Sequence, residues 1–155
     1  MARTIVLDSF PVSSLGKNRA GLLTVSDHCR QWILDCISAG NSVRVPAIAY
    51  YETLRELERL SATAQILRLK TFCFTAPDRF IPLETAHLEA AAKMWGQIRN
   101  LGAPTAGPND LDGDVILAAQ ALSLGIAAPG LIVATTNPSH ISRYVAADLW
   151  TNIQP

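Results

Sequence analysis

Among the 155 residues of this chain, those with most to offer chemically are acids: Asp8, Glu52, Asp110, Asp112 and Asp114, with the amide Asn137 further on. Carboxylates brought to one point repel one another and favour a divalent cation between them. Other chemistries find less support. His28, His87 and His140 share no ligand spacing and read as surface residues. The 3 cysteines are odd in number and form no Cys-x-x-Cys. Cys29 and Cys36 fall on one side of a helix beside Trp32, Ile33 and Ile37, and read as buried thiols. No Ser or Cys stands in a nucleophile elbow, and no Gly-rich motif cradles a phosphate.

Each acid also has an ordinary structural role open to it. An Asp after a strand is often a turn residue or helix cap, which fits Asp8. By spacing alone, Glu52 reads as part of a solvated helix face, paired with Arg55 at i,i+3. Asp114 opens an apolar helix, where its charge suits the helix dipole. Asp110 and Asp112 fit as loop polarity.

The elements around these residues alternate. Residues 3–8 form a short β-branched run ending on Asp8, as expected of a buried parallel strand. Residues 9–23, with Pro11, Gly16, Gly21 and several serines, read as a loop. A helix is expected from Val25 to Ala39, stopped by Gly40-Asn41. A strand follows over 42–45, and Pro46 suits the first turn of a helix over 47–60. Along that helix Ala47, Tyr50, Tyr51, Leu54 and Leu57 make an apolar stripe. Further helices are expected over 62–74 and 84–99, the second with Leu88, Ala91, Ala92, Trp95 and Ile98 inward. Between them residues 80–83 form a brief strand, tolerable at an edge because of Pro82. A loop then delivers acids to a helix over 114–124. Residues 131–135 are the best strand, a short helix starts at 137–139, and residues 149–153 form a last strand. This pattern predicts one domain over 1–155 of α/β class: a three-layer α/β/α fold with a central, mostly parallel sheet of about five strands. In such sheets ligands bind beyond the carboxyl ends of strands. Asp8 and Asn137 both belong on that rim, close together if their strands are neighbours.

The joint pattern resembles the PIN-domain nucleases, especially the VapC-type toxins. An acid ends the first strand in IleValLeuAspSer, residues 5–9. A second sits in the helix after a Pro-containing turn, in ValProAlaIleAlaTyrTyrGluThrLeuArg, residues 45–55. A third opens a helix in AspValIleLeuAlaAlaGlnAlaLeu, residues 114–122. A strand then leads into ValAlaThrThrAsn, residues 133–137, and a tryptophan, Trp150, stands near the end. The resemblance covers nearly the whole length, in order. It implies Asp8, Glu52 and Asp114 as catalytic acids, with Asp112 and Asn137 as further metal ligands. It implies Mg²⁺ or Mn²⁺ as cofactor, RNA as substrate and hydrolysis of a phosphodiester as the reaction. Lys17, Arg19 and Arg143 are expected near the same rim, holding phosphates. The toxin role of a toxin–antitoxin pair, with an antitoxin protein as partner, is also implied.

Two features depart from the pattern. The fourth position, Asn137, is an amide without charge, which Asp112 could supply; the loop of residues 9–23 is long for the small toxins. The amide favours an alternative, a catalytically inactive PIN fold serving as an RNA-binding or protein-interaction module. A haloacid-dehalogenase-type phosphatase would use Asp8 as nucleophile, but the second Asp expected two residues later is Phe10 here.

Composition bounds these expectations. Apolar residues make up 49%, enough for a packed core. Thirteen basic residues balance thirteen acidic ones, which removes the broad positive field of a protein that coats nucleic acid but allows a local grip on short RNA. No apolar run reaches the length of about 18 residues that a membrane helix needs, and the opening lacks a signal peptide's apolar core, so a cytoplasmic protein is expected. A homodimer is expected too, with Tyr50, Tyr51, Leu54 and Ile66 as contact candidates.

Overall fold

A computed structural model describes residues 1–17, 23–102, 107 and 111–155. The chain runs β1 (Thr4–Leu7), α1 (Ser9–Ser14), α2 (Val25–Ser38), β2 (Ser42–Pro46), α3 (Ala47–Arg59), α4 (Thr63–Thr75), β3 (Phe80–Ile81), α5 (Thr85–Asn100), α6 (Gly113–Leu122), β4 (Leu131–Thr135), α7 (Pro138–Ile141) and β5 (Ala147–Leu149), closing on a 3-10 turn at Trp150–Asn152. The strands form one sheet in the order β3-β2-β1-β4-β5, and every pairing is parallel. This is the expected three-layer α/β/α fold.

Strand β1 is central because its apolar run needs cover on both faces. Ile5, Val6 and Leu7 are fully buried, between β2 (Ile5 opposite Val43) and β4 (Ile5 opposite Ile132). From β1 the chain winds outward through β2 to β3, then crosses back to β4 on the other side of β1. Right-handed crossovers of that order cover both faces of the sheet with helices. The winding reverses between β1 and β4, so their carboxyl ends flank the crevice where ligands bind in such folds.

Helix α2 is fixed at both ends. Thr24 and Asp27 form a reciprocal capping box at the start of α2, the Thr24 hydroxyl accepting from the Asp27 N–H (3.2 Å) and the Asp27 carboxylate accepting from the Thr24 N–H (2.9 Å). Gly40, at φ +88°, allows the left-handed turn that ends α2. The side of α2 expected inward is inward: Cys29, Trp32, Ile33 and Cys36 are buried. All three cysteines are free and buried, and burial pushes the thiols up to about 12 for Cys29, about 11 for Cys36 and about 12 for Cys73.

Several expectations are corrected. Residues 9–14, read as loop, form α1: the Asp8 carboxylate caps the Ser9 N–H, and Pro11 is tolerated because it lies in the first turn. The last strand lies at Ala147–Leu149, ahead of residues 149–153. Trp150 leaves the sheet to pack on Trp32, ring centroids 5.7 Å apart, and the Trp32 Nε1–H donates to the Ile153 carbonyl at 2.8 Å. On α5 the buried side chains are His87 and Ala91, whereas Leu88 is 46% exposed. His87 is thus no surface residue; its Nδ1 accepts from the Glu84 N–H at 3.0 Å. On α3 the buried face is Ile48, Ala49, Thr53 and Leu57. Tyr50 packs edge-on against Phe74 and Phe80, Ile66 rests on the core, and Tyr51 is exposed. Among the described residues, no helix is long and apolar enough to cross a membrane.

Candidate active site

The site is built outward from Asp8, the first residue beyond β1. Its N–H donates to the Ala134 carbonyl at 3.0 Å, extending the ladder to β4 past the strand's end. Its carboxylate is then held from two sides. Oδ1 accepts from the Ser9 N–H at 2.7 Å. Oδ2 accepts from the Thr135 hydroxyl, also at 2.7 Å. Thr135 ends β4 and is fully buried, so both strands flanking the crevice fix one side chain.

Glu52 comes from α3 and is half-buried. It does not lie on a solvated face. Its Oε2 accepts from the Ser9 hydroxyl at 2.7 Å, so Ser9 ties Asp8 through its backbone and Glu52 through its side chain. Arg55 instead stands over the Tyr51 ring, 5.5 Å from its centroid, and among the described residues no ion pair joins it to Glu52. The other side of Glu52 faces Gly113, the first residue of α6, where an added Cβ would collide with Glu52 Oε1. Glycine is what lets the start of α6 approach this carboxylate closely.

Asp112 caps α6, accepting from the Val115 N–H at 3.2 Å, and is buried. Asp114 stands in the first turn of that helix. Burial pushes its carboxyl above the usual range, and the charges of Asp8, Asp112 and, least, Glu52 push it the same way, while His140 pulls against them. Acids from two distant segments, and one from its own helix start, are therefore felt at one carboxylate. His140, on α7, places Nδ1 3.5 Å from Asp114 Oδ2, so a histidine read as a surface residue belongs to the site's rim. Asn137 is exposed; its N–H donates to the Thr135 hydroxyl at 3.0 Å and its Oδ1 accepts from the Ser139 hydroxyl at 2.7 Å.

Among the described residues, no three His, Cys, Asp or Glu side chains close into a ready-made metal cage. The donors fit a hard cation in kind. They are carboxylate oxygens, and the repulsion felt at Asp114 is what such a cation relieves. The expected cations divide. Lys17 lines a groove with Ser9 and Glu52. Arg143 lines another cleft, with Tyr144 and the carboxyl-terminal half of α5. Arg19 and Asp110 lie outside the described residues.

Sequence reasoning missed four participants: Ser9, Gly113, Thr135 and His140. Two carried a signal. A glycine directly before the helix-opening Asp114 marks close approach, and a hydroxyl ending the best strand marks a partner for its neighbour's terminal acid.

The architecture and rim define a class: a parallel three-layer α/β/α domain with acids gathered where the winding of the sheet reverses. No family model matches the sequence, and no curated protein matches it. Solved structures do. VapBC2 from Rickettsia felis, bound to a DNA fragment from its promoter, matches with a TM-score of 0.66 at 12% identity, covering 95% of this chain and 98% of that one. FitAcB from Neisseria gonorrhoeae matches at 0.64 and 17%, covering 96% and 99%. VapBC-1 from nontypeable Haemophilus influenzae matches at 0.58 and 19%, covering 96% and 98%. The chain shares the fold of these structures over nearly its whole length, a PIN-like three-layer α/β/α domain.

Proposed function

We propose that the protein is a divalent-metal-dependent ribonuclease that hydrolyses RNA phosphodiester bonds at Asp8, Glu52 and Asp114. The observation that carries this is geometric: Ser9 ties Asp8 through its N–H and Glu52 through its hydroxyl, and Gly113 brings the start of α6, with Asp112 and Asp114, against Glu52. Maintaining mutually repelling carboxylates at a switch-point crevice costs stability, and such perturbed groups cluster at functional sites. Mg²⁺ or Mn²⁺ suits these donors, since it keeps several waters and needs only one or two carboxylates directly. When bound, the cation acidifies a water for attack and offsets phosphate charge. The chain's own part is positioning. Ser9 and Thr135 fix both oxygens of Asp8, Ser9 fixes Glu52, and the start of α6 presents Asp114 with Asp112 behind it. Asn137, its oxygen engaged by Ser139, orients the turn after β4.

Three of the similar solved structures are of VapBC, two of them bound to DNA. With that likeness, and with the sequence resemblance, the toxin role in a toxin–antitoxin pair and an antitoxin partner go with the proposal, as do the homodimer and the cytoplasmic setting expected from the sequence. One observation favours a second assignment, an inactive RNA-binding or protein-interaction module: the fourth position is an exposed amide with its oxygen already bound.

The test is cleavage of single-stranded RNA by purified protein with Mg²⁺ or Mn²⁺. Chelation should stop it, and Asp8→Asn should lower it at least about a hundredfold, since losing a principal charge interaction in the transition state costs about 3 kcal/mol. Cleavage unaffected by both EDTA and Asp8→Asn would reject the assignment. A chain that binds RNA but never cuts it would favour the inactive module.

A further inference from the structure

The acid site does not end at Glu52. Ser9 and Glu52 are also lining residues of a groove of about 530 Å³ that runs between α1, α3 and α4, within the size range of ligand clefts. Its walls combine three kinds of group. Phe10, Leu57 and Leu60 supply apolar surface. Lys17, just past α1, and Arg55, on α3, supply positive charge. Gln65, on α4, supplies an amide whose buried Oε1 has no hydrogen-bond partner among the described residues.

The charge balance of the groove is decided by pairing. Glu56 also lines it, but its carboxylate is taken by the Arg59 guanidinium through both oxygens, and that contact holds its carboxyl below the usual range. Glu52 is committed to Ser9 and the acid site. Among the described residues, neither Lys17 nor Arg55 lies within ion-pair distance of an acid. The groove therefore presents two available cations beside a cluster of carboxylates. A polyanion threads such a place by setting one phosphate against a cation held by the acids and the next against Lys17 or Arg55. Apolar and aromatic surface beside the cations suits the face of a base, and an unmet buried acceptor suits a hydroxyl or amine donor from a nucleotide.

We propose that this groove is the track along which single-stranded RNA leaves the cleavage point, with Lys17 and Arg55 each holding a backbone phosphate. The proposal rests on the ribonuclease assignment and adds to it a path: the strand is gripped on the α1–α3 side of the acids. Arg143, which lines a different cleft, is not part of this track.

Binding can be read without cleavage. A fluorescein-labelled single-stranded RNA is titrated with full-length protein in EDTA, by anisotropy, over a series of salt concentrations. Lys17→Ala and Arg55→Ala should each weaken binding about threefold or more at low salt. The double variant should flatten the salt dependence by about 1.4 in slope, because each single-strand phosphate contact contributes about 0.7. Lys93→Ala, a surface cation on α5 outside the groove, should change neither quantity. Circular dichroism checks that each variant is folded. Wild-type protein that binds RNA while the double variant binds with the same affinity and slope would overturn the track and leave the ribonuclease assignment standing. Wild-type protein that binds no RNA at low salt in EDTA would overturn the track, while the ribonuclease assignment is judged separately by cleavage in Mg²⁺ or Mn²⁺.

Discussion

Gly113→Ala separates folding from function at this site. The added methyl meets Glu52 Oε1. To restore ordinary van der Waals contact the carboxylate end must retreat by about 1 Å, and a retreat that carries Oε2 with Oε1 gives up the 2.7 Å bond from the Ser9 hydroxyl. Losing a hydrogen bond to a charged group costs about 1.5–3 kcal/mol, and the low end applies because Glu52 is half-buried and water can take over. Against this, Gly113 has no left-handed φ among the positions that do, and alanine in a helix gains roughly 0.5–1 kcal/mol over glycine. The net loss is about 1 kcal/mol or less, a shift in Tm of roughly 2–4 °C for a domain of this size. Activity should suffer far more, since misplacing a catalytic group by about 1 Å costs on the order of a hundredfold. The assay pairs a thermal melt with cleavage of a fluorescent RNA in Mg²⁺. Ser9→Ala should lower activity in the same direction, and the double variant should be little worse than Gly113→Ala, because both act through the hold on Glu52. Activity within twofold of wild type in a folded Gly113→Ala protein would refute this account of Glu52.

Asp114→Asn should raise stability at neutral pH without metal. The Asp114 carboxyl is raised in the folded state by burial and by Asp8, Asp112 and Glu52, so the folded chain binds its proton more tightly than the unfolded chain. Asp114 therefore costs stability as pH rises from its ordinary 3.8 through the raised value. The advantage of the variant in urea melts should be present at pH 7 and shrink toward zero as pH falls below that window; an advantage independent of pH would contradict the assignment of the repulsion. Trp32→Phe should destabilise by about 2 kcal/mol, through the unpaired Ile153 carbonyl and lost volume against Trp150. A loss under about 0.5 kcal/mol in the same melts would show that this tie is not what closes the chain's end.

The fold was legible where burial is two-sided. Residues 3–8 read as a buried parallel strand and the run at 131–135 as the best strand because of their apolar density, and the structure places both side by side at the centre of the sheet. Helix α1 was hidden because its sequence, SerPheProValSerSer, has little helix propensity; it forms because Asp8 caps it and α2 and α3 pack on it. Edge strand β5 was misplaced because a strand with one neighbour carries little pattern of its own. For the site, Asp8 and Asp114 were placed by element ends, which sequence reveals. Glu52 illustrates the limit. Its spacing to Arg55 suggested an exposed ion pair, and only the packing of α1 and the glycine at the start of α6 turn it inward.

The central claim is that Asp8, Glu52 and Asp114 act as one cation-binding unit. Its most direct test is calorimetric titration of Mn²⁺ into metal-free protein at near-neutral pH, with Asp8→Asn, Glu52→Gln and Asp114→Asn in parallel. The account predicts saturable binding by the wild type, weakened about tenfold or more by each substitution, since each removes an oxygen charge from the same ion. Wild-type protein that takes up no Mn²⁺, or binding that none of the three substitutions alters, would contradict it.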